Sequence, residues 1–151
     1  IRMGNSNGVN SIGHEESFEG VLTRLAEGLT LEDRKRANKA GADIFAAELK
    51  AKTPRSDRIY HDGTPHIQDA VLVITEPSGR VDVGYSDESK RGYIARFQND
   101  GWIATDRNGY SHKHVPGKHF WEAAEVASKD RIQEAIRQSL EDAFARKVSG
   151  K

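Results

Sequence analysis

Phe120, Ala124, Ala127, Ile132, Ile136, Leu140 and Phe144 recur at helical spacing along "FWEAAEVASKDRIQEAIRQSLEDAF". A helix of roughly 28 residues is about 42 Å long. A compact chain of 151 residues has a diameter of roughly 38 Å. Such a helix either bends around Ser128-Lys129-Asp130 or projects from the globule, and its apolar stripe requires a long partner in both cases.

One other segment can serve. Thr30 followed by Asp33 reads as a capping box, and the acids Glu32 and Asp33 suit the positive end of a helix dipole. In "LEDRKRANKAGADIFAAELKAK" the residues Ala37, Gly41, Ile44, Phe45, Glu48 and Leu49 share a face. The small ones, Ala37, Ala40 and Gly41, would let a neighbouring element come close. Pro54 ends the helix because it forces Thr53 into extended geometry.

Between the two helices lies strand chemistry. "HIQDAVLVITEP" carries the run Val71–Thr75, β-branched except for Leu72, Pro77-Ser78-Gly79 turns it, and "RVDVGYS" alternates. This predicts a hairpin with Val81, Val83 and Tyr85 inward and Arg80, Asp82 and Gly84 outward. The next apolar stretch, "YIARFQNDGW", reads as a further extended segment, with Asn99-Asp100-Gly101 as a turn. "IATDRNGYSHKHVPGKH" after it reads as a polar loop, mobile at Asn108-Gly109. The order specifies an α+β fold: an antiparallel sheet with two main helices, about 31–52 and 119–147, packed on one face. Residues 1–29 form a flexible N-terminal segment with a short helix in "ESFEGVLTRLAEGL" ended by Gly28, and 30–148 form a single domain.

Several function classes are disfavoured. No apolar run approaches the roughly 18 residues of a membrane span, and the start "IRMGNSNGVNSIGHEE" has no apolar secretory core. Cysteine is absent, which removes disulfides, thiolate metal sites and a cysteine nucleophile. With 23 basic and 23 acidic residues, the chain lacks the cationic excess of a dedicated duplex-DNA binder. Positive charge is local: residues 34–58 hold eight basic and three acidic side chains.

Catalytic patterns are weak. His112 and His114 would share a strand face, with His119 and Asp106 near in sequence, a conceivable zinc or copper set. His61, Asp62 and His66 lie on a turn without a rigid frame. There is no Gly-x-Ser-x-Gly elbow and no phosphate-cradling glycine loop. No catalytic residue, metal site or cofactor is therefore expected, and a small metal-dependent hydrolase or nuclease using the His112/His114 loop is a distant alternative.

Four motifs in a fixed order carry a resemblance. Thr53-Pro54 ends an alanine-rich helix, and Val83-Gly84-Tyr85 ends the hairpin. Tyr93, Ala95, Arg96, Phe97 and Gly101 form a Tyr-x-Ala-Arg-Phe-x-x-x-Gly element, and Pro116 and Phe120 form a Pro-x-x-x-Phe entry into the last helix. Over about residues 31–148 the chain resembles the minor tail-component (tail-completion, neck) family of long-tailed double-stranded DNA bacteriophages. It departs in a longer, more polar loop, "RSDRIYHDGTPHIQD", and in Trp102, where threonine is common.

The resemblance implies a non-enzymatic virion protein of the neck or tail, made in the host cytoplasm. It would act in tail completion and head–tail joining as a homo-oligomeric ring, six-fold in expectation, around the DNA channel. Its partners would be copies of itself, connector or adaptor proteins and tail-tube proteins, with DNA passing transiently and no membrane. A tail terminator or head-side adaptor, or a monomeric regulatory protein, are the alternatives. Under this reading Tyr93, Phe97, Trp102 and Phe120 are expected at subunit contacts, with core packing the competing role for the aromatics. Lys50, Lys52, Arg55 and Arg58 are expected to face the channel.

Overall fold

A computed structural model describes residues 28–86, 88 and 91–148. The tail and short helix expected ahead of Gly28 lie outside them. Helix α1 spans Leu31–Lys52, a 3-10 turn spans Ile67–Ala70, and strands β1 (Val71–Thr75) and β2 (Val81–Tyr85) follow. Next come helix α2 (Gly92–Asp100), strands β3 (Gly101–Thr105) and β4 (Ser111–Pro116), and helix α3 (Phe120–Val148). The α+β class holds. The expected single sheet is instead two separate two-stranded antiparallel sheets, β1–β2 and β3–β4.

The long helix finds its partner in α1, which runs antiparallel to it. Leu49 packs with Phe120 and Ala124 near one end. Halfway along, a Cβ added at Gly41 would stand 2.9 Å from Ile136 Cδ1 and 3.1 Å from Ile132 Cγ2, so the missing side chain is what allows the close approach. At the other end Asp33 faces Arg146 at 3.6 Å and Lys147 at 3.7 Å. Ala127, expected on the buried stripe, is exposed. The stripe passes through Ser128 instead, whose buried hydroxyl donates to Ala124 O at 2.6 Å and so satisfies itself within the helix.

Helix α1 begins and ends as its sequence requires. The Thr30 hydroxyl accepts from the Asp33 amide at 3.1 Å, and the Asp33 carboxylate accepts from the Thr30 amide at 3.0 Å. That capping box also holds Asp33 in the electrostatic field of the far end of α3. Bonds from Thr30 push the Asp33 carboxyl below its ordinary range, with the charges of Lys147 and Arg36 adding to the effect. A carboxyl depressed in the folded state contributes stability above its unfolded pKa of about 3.9 and loses it as pH falls through the lower folded value. Chemical denaturation between pH 3 and 7 should therefore show the Asp33→Asn variant least stable relative to wild type near neutrality. The gap should narrow below about pH 4; parallel curves would rule out this role for Asp33.

The β1–β2 register pairs Val71 with Tyr85, Val73 with Val83 and Thr75 with Val81. Val81, Val83 and Tyr85 are partly buried on the inward face, as the alternation predicts, while Thr75 at the turn end is exposed. Val71, Val83 and Tyr85 pack against the core of Leu49, Ala95, Phe120 and Ala124. Arg80 is exposed and pairs with Asp82 on the outer face at 2.7 Å. The Tyr85 hydroxyl lies 2.6 Å from Thr53 Oγ1, which itself donates to Leu49 O. This chain of bonds ties the hairpin to the end of α1, and burial raises the Tyr85 phenol above its usual pKa.

A candidate subunit interface

The stretch from Tyr93 to Trp102 departs most from its sequence reading. Residues 92–100 are helical, so Tyr93 and Phe97 stand one turn apart on α2 and do not alternate along a strand. Their rings meet edge to face with centroids 6.3 Å apart. The residues that α2 buries are Ala95 and Asn99, while Tyr93 is 58% exposed and Phe97 51%. The helix turns its small and polar side inward and its aromatic side out.

Asn99 explains this orientation. Its side-chain oxygen accepts from the Trp121 amide at 2.8 Å, capping the first turn of α3. Its amide nitrogen donates to Glu122 and Asp100, and its carbonyl accepts from the His119 amide at 3.1 Å. His119 adopts a left-handed φ of 50° at this junction. The carbonyl of Gln98 likewise accepts from the Lys118 amide. Orphan groups at the end of α2 and at the start of α3 thus satisfy one another.

Gly101 ends α2 with φ 86° and ψ 172°, a conformation essentially reserved for glycine. Strand β3 leaves from there and pairs with β4, Trp102 opposite Val115 and Ile103 opposite His114. The "NDG" run is therefore a helix end leading into a strand. The loop expected to be mobile is also a hairpin: Asp106 Oδ1 accepts from the amides of Asn108 and Tyr110 at 2.8 and 3.0 Å, and Gly109 supplies φ 85°.

Together α2 and β3 form an apolar ledge. Ile94, Phe97, Gln98, Trp102 and Ile103 line an open groove of about 380 Å³. Ile103 is 61% exposed, and Trp102 is half-buried at the groove. Phe120 does not belong to this surface: it is 3% exposed within the core, beside Leu49, Ala95 and Ala124, and has no ring face left to offer another subunit. Core packing won at that position because it is the first residue of α3, held down by the junction just described.

The four cationic residues cluster at the end of α1 and in the loop beyond it. Lys50 and Arg55 share Asp69, at 3.6 and 2.6 Å, and Lys52 faces Glu48 at 3.8 Å. The Arg58 guanidinium lies 5.4 Å from the centre of the Tyr60 ring. Free positive charge here is smaller than the sequence count implies. Bonds from Arg55 hold the Asp69 carboxyl below its ordinary pKa.

Among the described residues no three His, Asp or Glu side chains gather in a metal-binding arrangement. His112 Nε2 stands 3.2 Å from Asp106, a pair already engaged in the hairpin turn. Asp62 closes its own turn by accepting from the Thr64 amide at 3.0 Å, and His66 meets the edge of Tyr60. Among the described residues no helix is long and apolar enough to cross a membrane.

None of the curated proteins or solved structures compared with the chain matches it. A family model does match, over residues 16–101, more than half of the chain; it is described as "Bacteriophage HK97-gp10, putative tail-component". The matched span contains the capping box, the Val83-Gly84-Tyr85 hairpin end and the whole of α2 through Gly101. The chain thus belongs to the HK97-gp10-like family of bacteriophage tail components.

Proposed function

We propose that this tail component works in the neck, completing the tail and joining it to the head, as one subunit of a closed ring around the DNA channel. It is made in the host cytoplasm and acts by contact alone, making and breaking no bond. The observation that carries this reading is the α2–β3 ledge. Phe97 and Ile103 are each more than half exposed at one groove, and Tyr93, equally exposed, packs its ring against Phe97 on a helix whose buried residues are Ala95 and Asn99. Exposed apolar surface gathered in this way marks a contact site.

A ring made by rotation needs two unlike faces on each subunit, so that the contact runs head to tail. The chain offers a second apolar surface on different elements. Phe45, Val126 and Ile132 line a groove of about 460 Å³ between α1 and α3. Ring closure would seat the ledge of one subunit against its neighbour, with the six-fold order of the resembling proteins as the expected number. Adjoining connector and tail-tube proteins would cover the top and bottom of the ring, and the Lys50–Arg58 region would face the channel.

Electron microscopy of intact particles, with the protein located by a fused tag, tests this directly. Density for a ring at the head–tail joint is the expected result. Density at the distal tip, or absence from the particle, would overturn the neck assignment. Isolated subunits that are monomeric in solution would not, because such a ring can form on a template.

A further inference from the structure

A small cavity of about 160 Å³ adjoins the aromatic ledge, sharing Ile94 and Gln98 of α2 with its groove, where the loop after α1, the start of α2 and the segment before α3 converge. Its wall includes Arg55, Ser56, Tyr60, His66, Arg91 and Lys118, and no carboxylate. The volume is several times the roughly 30 Å³ share of one water molecule, enough for a small tetrahedral anion.

Arg91 is the unusual member. It is 7% exposed, yet among the described residues no carboxylate forms an ion pair with it. Its Nε donates to Pro65 O at 2.8 Å, and its guanidinium lies 4.5 Å from the centre of the Tyr60 ring. Those contacts fix the plane of the guanidinium and spend one of its five N–H groups, but they supply no negative charge. A buried cation ordinarily has a paired anion, because desolvation is otherwise uncompensated. Asp62 is exposed and occupied with Thr64, whose hydrogen bonds are the main cause of its lowered pKa, the charge of Arg91 being the smallest.

The other donors enter from separate directions. Arg55 gives Nη1 to Asp69 and Gln68 and keeps its remaining N–H groups. Lys118 brings a point charge from the segment whose amide is anchored on Gln98. A planar carboxylate is satisfied by a single guanidinium fork, whereas forks and a point charge set around a hollow suit an anion with oxygens in several directions.

We propose that this cavity is a phosphate-binding site, filled by a single phosphate group with Arg91 as its buried anchor and Arg55 and Lys118 at its mouth. Two sources present this same chemistry, the free ion and the terminal phosphate of a nucleic acid. The site does not depend on ring formation.

The test is a titration of the purified full chain with inorganic phosphate, followed by ³¹P line broadening and by the thermal midpoint at constant ionic strength. Saturable binding that raises the midpoint is expected. Lys118→Ala, on an exposed residue, should leave the fold intact and weaken phosphate binding about tenfold, the effect of losing one charge-assisted contact. Arg91→Lys should weaken it further; should that variant unfold, Lys118→Ala and Arg55→Gln still decide the matter. A short oligonucleotide with and without a 5′ phosphate separates the sources. Preference for the phosphorylated strand assigns the nucleic-acid end, and equal binding beside a response to inorganic phosphate assigns the free ion. No saturable response to phosphate, an equal response to acetate, or wild-type affinity in both Lys118→Ala and Arg55→Gln would overturn the proposal.

Discussion

Gly117→Ala is expected to be among the most destabilising single-methyl additions in this chain. A Cβ at Gly117 would sit 2.2 Å from Asn99 O and 2.6 Å from the Asp100 carbonyl carbon, both backbone atoms. No rotamer change relieves a collision with backbone, so the α2–β3 corner must move away from the segment leading into α3. That movement breaks the junction in which Asn99 caps α3 and accepts from the His119 amide. Overpacking alone costs about 1–3 kcal/mol, occasionally more, and loss of a helix cap adds about 1 kcal/mol. A combined loss of about 3 kcal/mol corresponds to a fall of roughly 10 °C in the thermal midpoint. Gly109→Ala provides the comparison. Gly109 has a left-handed φ of 85° with open space around it, so only backbone strain of about 1–2 kcal/mol applies. Calorimetry should rank Gly117→Ala clearly below Gly109→Ala. Equal midpoints would mean that the corner yields and that the junction does not hold the molecule together.

This junction also marks the limit of what the sequence discloses. Helix α1 was legible because its signals are local: Thr30 and Asp33 are three residues apart, and Pro54 acts on its neighbour. The first hairpin was legible because its inward residues alternate against polar ones. Helix α2 was not, because its burial inverts the usual rule. Hydrophobicity identifies the buried face of a helix when apolar residues point inward, but here Ala95 and Asn99 are buried and Tyr93 and Phe97 are exposed. A run of Tyr, Ile and Phe before Asn-Asp-Gly then imitates a strand and its turn. The cap of α3 was invisible for a different reason: Asn99 stands 22 residues before Trp121, the residue it caps, so no capping spacing exists to be read. Phe120 was misplaced because a residue that begins a helix after a polar stretch looks the same in sequence whether it is core or contact.

The inversion that concealed α2 supplies the second large prediction: Phe97→Asp should fold nearly as wild type and fail to assemble. Within the subunit, Phe97 contributes its edge-to-face contact with Tyr93, a pair worth about 0.5–1.5 kcal/mol, and exposed substitutions otherwise cost about 0.5 kcal/mol or less. At a closed ledge the same carboxylate would be buried in the groove of Ile94, Trp102 and Ile103, whose own lining holds no cation. An unpaired buried charge costs about 3–5 kcal/mol, which is roughly a hundred- to several-thousand-fold in the affinity of each contact. Because a ring repeats every contact, the loss compounds around it. Ile59→Asp separates this effect from a general loss of surface hydrophobicity, since Ile59 is 73% exposed and lies outside the ledge. With both variants shown to be folded by circular dichroism, each would be supplied in trans to a phage lacking the gene. Ile59→Asp should restore particles with the protein in place, and Phe97→Asp should lower the yield of infectious particles at least a hundredfold. Full complementation by a folded Phe97→Asp protein would show that the aromatic side of α2 faces solvent in the virion, and the contact surface would then have to be sought on the groove between α1 and α3.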